Sequence, residues 1–328
     1  MSWTSRLIPV GVALAGIALV IWQVQSVGLD AVVQGFKEVG PTGFVLVLAL
    51  SFLRYTVRAI AWITLIEPPP GHTPVPLRSA IAATIGGDAL GNLSFLSLLV
   101  SEPAKALYLT RYVPAEEALG ALAAENFFYS VSVALVILAG TLTLLATFVL
   151  PDAWLTASWL ALGLMGFILA AAVWLAWKRP ELAARFGASD AHLLGRVIGR
   201  IGALERIAYR GLRATSSRLV IVVGCQIVFH ALSILESWLT LYLLTGQSLW
   251  LNAFLFDTVN RVINVVFRVV PLKVGVDEYS ASGLADLIGL TTATGLTMAL
   301  VRRVRVLTWV AVGLMITGRR ALRRTSAG

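Results

Sequence analysis

Apolar runs long enough to cross a bilayer recur along this chain, at 7–24, 44–66, 117–150, 153–177 and 219–244. About 20 helical residues span the ~30 Å hydrocarbon core of a membrane. No soluble core needs so many such runs. The composition agrees, with 58% hydrophobic and 13% charged residues against roughly 45–50% and 25% in soluble domains. The apolar pattern has a helical period, not the alternation of an outer-membrane barrel. The expected fold class is all-α, a polytopic membrane helix bundle.

The charges narrow the function. Net charge is +9, yet the basic residues sit in short loops and a tail beside apolar runs. The positive-inside rule produces that pattern, and it excludes a nucleic-acid partner. Cys225 is the single cysteine and lies in an apolar run, so internal disulfides, Cys-rich zinc sites and CxxC chemistry are excluded. His72, His192 and His230 lie far apart, which argues against a His-rich metal site. GxxxxGK[ST], HExxH and GxSxG are all missing. The expectation is a protein with no cofactor and no catalytic residues. Residues 1–24 carry no clear small-residue cleavage site and read as an uncleaved first helix.

Residues 25–40 read as a short surface helix. The apolar segment 78–100 is interrupted by Gly86, Gly87, Asp88, Gly91 and Asn92, and the segment 249–270 carries Asp257, Asn260, Arg261, Asn264 and Arg268 before Pro271. Between the halves, 178–218 holds nine Lys/Arg against Glu181, Asp190 and Glu205. Leu193, Val197, Ile201 and Leu204 share one face there, with Arg196, Arg200, Arg206 and Arg210 off it, as in an amphipathic helix on an anionic leaflet. The expected organisation is a membrane half at 1–177, this basic cytoplasmic linker at 178–218, and a second membrane half at 219–328. Placing both the linker and the Arg-rich tail in the cytoplasm requires the two interrupted segments to enter and leave on one side. That gives six full crossings and two re-entrant broken-helix segments in inverted repeats, N-in and C-in, as in secondary transporters. Eight crossings are the alternative.

Ionisable residues at bilayer depth are costly and usually mark a pathway or site. Arg54 and Arg58 share a helical face; two planar guanidinium forks suit a phosphate, or else pair with carboxylates such as Asp88 or Glu125. Asp257, Arg261, Asn264 and Arg268 form one stripe at i, i+4, i+7 and i+11. It lines a cavity or packs on another helix. Gln226, His230 and Ser233 make a further polar face, with Glu236 nearby. His230 is a structural or a proton-coupling group. Arg302, Arg303 and Arg305 cluster in the last span, where they meet lipid phosphate or snorkel. The halves are weakly similar: each has a central Asn (Asn92, Asn264), then an acidic turn (Ser101-Glu102; Gly275 to Glu278), then a buried charge (Glu125, Arg302).

These motifs resemble the lysylphosphatidylglycerol synthase transmembrane family, also called the flippase-like domain family. It includes the membrane half of bacterial multiple peptide resistance factors and the hopanoid-associated membrane proteins. The resemblance rests on Gly86-Gly87-Asp88, Gly91-Asn92, Ser101-Glu102 and Glu125, then Asn264, Pro271, Gly275, Asp277-Glu278, Gly289 and Arg302, and covers about residues 5–320. Ser101 stands where the family usually has Gly, and the second glycine turn is only Val274-Gly275-Val276. The resemblance implies lipid handling in a bacterial inner membrane, without the cytosolic domain that makes lysyl-lipid.

The expected function is a flippase or transporter for an anionic or modified (aminoacylated or isoprenoid-type) lipid. Arg54, Arg58, Arg261 and Arg268 would hold phosphate. Asn92 and Asn264 would mark helix ends with free backbone groups. Glu102, Glu125, Asp257 and Glu278 would balance charge or bind a cation, and Arg302 completes the candidate set. Membrane lipids are the expected partners. A secondary transporter of a soluble anion is the first alternative; a non-transporting partner of a lipid- or glycan-modifying enzyme is the second.

Overall fold

The computed structural model describes residues 29–67, 70, 73–94, 97–178, 205–267 and 275–325. The first expected span at 7–24, the amphipathic stretch Leu193 to Leu204, and Arg268 and Pro271 lie outside the described residues, as do His72 and His192. Among the described residues the chain is helical, with no strand. The helices are α1 (Leu29–Leu65), α2 (Leu77–Asn92), α3 (Ser97–Tyr108), α4 (Ala115–Thr147), α5 (Asp152–Lys178), α6 (Ser216–Thr245), α7 (Trp250–Val266), α8 (Val276–Leu287) and α9 (Thr292–Thr325). A further short helix occupies 205–211.

Local chemistry sets the breaks. Gly40 sits at φ 61°, ψ 171° inside α1, a conformation that glycine adopts without steric cost. Pro41 follows, with no N–H to lose. The expected surface helix and the first described span are therefore two arms of one bent element. Gly246 ends α6 at φ 68° and donates to Tyr242 O, an αL cap.

Helix lengths separate two kinds of element. α1, α4, α5 and α6 contain apolar stretches long enough to cross a membrane. By contrast α2 has 16 residues, α3 12, α7 17 and α8 12. At ~1.5 Å per residue each falls short of ~30 Å. α2 packs on α3 and α7 on α8, so each half holds a pair of short helices joined by a break. α2 runs on to Asn92 and is capped by Leu93, so the helix ends later than its glycines suggest. Gly86 and Gly87 are helical and buried. A Cβ on Gly87 would lie 2.9 Å from Ser101 O, and one on Gly86 2.9 Å from Thr317 Cγ2. They are contact points for α3 and α9.

Helices α1 and α6 run antiparallel. Gly43 faces Leu243, Arg54 meets Glu236 at 3.0 Å, and Glu67 meets Arg218 at 2.8 Å. If α1 to α4 are matched with α6 to α9, the packing repeats itself. α2 lies on α9 as α7 lies on α4, α1 on α4 as α6 on α9, and α3 on α4 as α8 on α9. Antiparallel central helices make the relating axis perpendicular to them, which is the geometry of inverted repeats. α5 packs outside, on α4, and exposes Trp159, Leu160, Phe167 and Val173, as a lipid-facing helix does.

Two apolar clusters close the bundle at opposite ends. One gathers Ala59, Trp62, Ala80, Ala83, Leu109, Ala118, Ala121 and Val222; Trp62 Nε1 there donates to Ala118 O at 2.9 Å. The other gathers Leu144, Leu241, Ala253, Phe256, Leu284 and Met298. In lipid, helix association comes from close packing, which small residues permit, and alanine dominates the first cluster. Between the two clusters lies the polar middle.

Candidate functional site

The polar middle is a cavity of about 320 Å³, bounded by α1, α2, α4, α6, α7 and α9. Its α1 and α6 walls are Ser51, Arg54, Tyr55 and Arg58, and Phe229, Ser233, Glu236 and Ser237, all near the middle of their helices. Both short-helix pairs reach it through their first helices: Asn92 ends α2, and Asn264 lies in the last turn of α7. Each Asn side chain donates back to its own helix, Asn92 to Asp88 O at 2.9 Å and Asn264 to Asn260 O at 2.8 Å.

Among the described residues, Arg54, Arg58, Arg261, Arg302 and Arg305 face the cavity, with Asp88, Glu236 and Asp257. Each arginine has an acidic partner. Arg58 Nη2 pairs with Glu125 at 2.8 Å, Arg261 Nε with Asp257 at 2.7 Å, and Arg302 Nη1 with Asp277 at 2.8 Å. Glu236 is shared, by Arg54 at 3.0 Å and by Arg305. Lys105, 2% exposed, bridges Asp88 at 2.7 Å and Glu102 at 3.0 Å. Glu278 pairs with Arg303 and accepts from Gly275 N–H at 2.8 Å. Arg54 and Arg58 also lie over the Phe229 and Tyr129 rings, at 4.7 and 4.5 Å, where a guanidinium is attracted to the π face.

The sequence offered two fates for the arginines, an open cavity or carboxylate pairs, and the structure has both at once. Arg54, Arg58, Asn92, Asp257, Arg261, Asn264 and Arg302 line one cavity. Glu102, Glu125 and Glu278 do not; they stand behind it. Glu102 accepts from Asn126 Nδ2 at 3.0 Å, and Asn126 Oδ1 accepts from Arg58 at 3.0 Å. His230 and Gln226 also turn away, toward Ser132, at 2.8 and 3.4 Å. Across this network seven cations (Arg54, Arg58, Lys105, Arg261, Arg302, Arg303, Arg305) meet seven acids (Asp88, Glu102, Glu125, Glu236, Asp257, Asp277, Glu278). The balance limits the cost of burying charge, while the cavity wall itself has five arginines against three acids.

Glu236, Arg305 and Trp309 belong to the wall and were absent from the sequence-derived set. The signal existed: Arg302, Arg305 and Trp309 recur at i, i+3 and i+7, one face of a helix. Trp309 stacks on Phe52 at 6.0 Å and meets Tyr55 edge-on at 5.3 Å. Phe52 is exposed, so an aromatic seam between α1 and α9 separates the cavity from the outer surface.

A family model described as Lysylphosphatidylglycerol synthase TM region matches residues 8–314. Comparisons with curated proteins and with solved structures gave no match.

Proposed function

The chain belongs to the lysylphosphatidylglycerol synthase TM-region family, and from that premise we propose that it moves a phospholipid between the leaflets of a bacterial inner membrane. The observation that carries this reading is the arginine-walled cavity at mid-depth, between antiparallel repeats. Transport sites lie at such repeat interfaces. A head group would sit among Arg54, Arg58, Arg261, Arg302 and Arg305. The acyl tails would stay in lipid, beyond the Phe52–Trp309 seam. Rocking of one repeat against the other would expose the cavity to each leaflet in turn. The α2–α3 and α7–α8 pairs would be the re-entrant elements, and the remaining long helices the crossings.

The test is reconstitution of the full chain in liposomes with fluorescent phospholipid. Outer-leaflet dye is quenched chemically and the flipping rate is read. The Arg54→Gln/Arg58→Gln and Asp257→Asn/Arg261→Gln pairs are expected to slow flipping at least ~10-fold, a loss of ~1.4 kcal/mol. Wild-type rates in both pairs would end the reading, and uptake of soluble phosphate with no lipid movement would replace it by anion transport. Topology has its own check, in a Cys225→Ser background. Cysteines placed at Arg111 and Gln247 are expected to label from opposite sides, cytoplasmic and periplasmic respectively.

A further inference from the structure

We propose that the cavity selects a head group carrying phosphate without a compensating ammonium, so that the cargo is an anionic phospholipid and not the aminoacylated lipid of the family name. The inference rests on the reading that this cavity is the cargo site, and it concerns which charge the site accepts.

Three guanidinium nitrogens carry the argument. Arg54 Nε, Arg261 Nη2 and Arg305 Nε are buried and have no hydrogen-bond partner among the described residues. All three belong to cavity-lining side chains. Arg261 is 5% and Arg305 9% exposed. A buried donor left unpaired costs roughly 1–3 kcal/mol, more when charged. The indole Nε1 of Trp309, on the same wall, is likewise unpartnered. Side chains of α1, α7 and α9 thus bring to the wall of one space more donors than their carboxylate partners use, and a phosphate supplies several oxygens in the geometry that guanidinium forks match.

The acids of the same wall tell the other half. Asp257 accepts from Arg261 Nε at 2.7 Å and from Ser233 Oγ at 2.6 Å. Asp88 accepts from Lys105 at 2.7 Å and Ser101 Oγ at 3.2 Å. Glu236 already serves two arginines. Every carboxylate facing the cavity is neutralised by a cation of the protein itself. The remaining acids stand behind the wall, each paired with a cation of its own. An entering ammonium therefore meets guanidiniums and no free carboxylate, and like charges at low dielectric repel strongly. Size points the same way. A cavity of about 320 Å³ is near the lower limit of ~300–1,000 Å³ for small-molecule sites, and a lysyl extension adds bulk as well as charge.

The experiment measures binding, apart from transport, on the purified full chain in detergent. The probes are dioctanoyl phosphatidate, dioctanoyl phosphatidylglycerol, dioctanoyl lysylphosphatidylglycerol and inorganic phosphate. The two anionic lipids are expected to bind at least ~10-fold tighter than the lysyl lipid, a difference of one decade in Kd. Arg305→Gln leaves Glu236 paired with Arg54, and is expected to lower affinity for both anionic lipids by ~10-fold or more. Arg305→Lys, which keeps the charge and loses the fork, gives the same readout should the Gln variant fold poorly. Equal or tighter binding of the lysyl lipid, or unchanged affinity in folded Arg305 variants, overturns the inference. Inorganic phosphate binding as tightly as the lipids retains the anion site and removes the lipid cargo. Anionic preference without flipping also leaves this inference standing and sinks the transport reading. Faster flipping of lysyl lipid than of phosphatidylglycerol does the reverse.

Discussion

The two pairs of short helices have the same skeleton and different charge placement. Asn92 donates to the carbonyl four residues back, and so does Asn264. Asp88 on α2 accepts from Ser101 at the matching turn of α3. Asn260 on α7 donates to Asp277 at the matching turn of α8. Glu102 is tied to Asn126 of α4, and Glu278 to Arg303 of α9. Even the crossings correspond: Gly86 of α2 faces Thr317 of α9, and Gly140 of α4 faces Thr258 of α7, with glycine and threonine exchanged. The difference lies in where neutrality is reached. The first pair carries its own cation, Lys105, between Asp88 and Glu102. The second pair brings two acids that are neutralised by arginines of α9. The first pair supplies part of its own neutralisation, one ammonium against two carboxylates, while the second depends on its neighbour for all of it. Fold symmetry constrains which positions touch, and leaves open which member of a touching pair bears the charge.

The most severe break in this comparison is Arg303→Gln. It strands Glu278, which is 0% exposed, and the expected loss is about 3–5 kcal/mol. Thermal unfolding in detergent reads it, and Arg303→Gln/Glu278→Gln should recover part of the loss. Lys105→Met comes next at about 3 kcal/mol, because the stranded Asp88 and Glu102 keep some contact with the surroundings. Glu102→Gln added to it should recover part of the loss, since one of the two stranded acids is then neutral. The two crossings rank third. Gly140→Ala drives a methyl into Thr258, which is itself held to Phe254 O at 2.9 Å, and should cost about 1–3 kcal/mol. Gly86→Ala meets only the Thr317 methyl at 2.9 Å and should cost less. Asn126→Ala is the mildest, about 1 kcal/mol, since its bonds to Arg58 and Glu102 join groups that have other partners.

Much of the site could be read before any coordinates. Arg54 with Arg58, and Asp257 with Arg261 and Asn264, stand out because spacing of four on an apolar helix leaves them on one face. Glu125 stood out as a charge inside a span and Glu278 as the acid of a glycine turn, yet both sit behind the wall. Depth along a helix is set by sequence position, but the direction a side chain takes is set by the neighbouring helix. Glu236 shows the converse. It looked incidental beside Gln226, His230 and Ser233, and it becomes the shared partner of two arginines because α1 and α9 both pack on α6. The glycines of α2 looked like the break and proved to be contacts, because a glycine marks close approach as readily as a turn.

Apolar run lengths and helical period were enough to establish an all-helical membrane protein, since the bilayer demands internal satisfaction of every backbone group. Charge spacing was enough to show that something polar lies at mid-depth. Tertiary structure alone decided that the polar faces of six helices meet around one space, that each arginine brings an acid with it, and that the excess positive charge faces inward. Those outcomes depend on antiparallel packing of α1 against α6. That packing sets residues far apart in the chain at the same depth, where no one-dimensional pattern records which of them will touch.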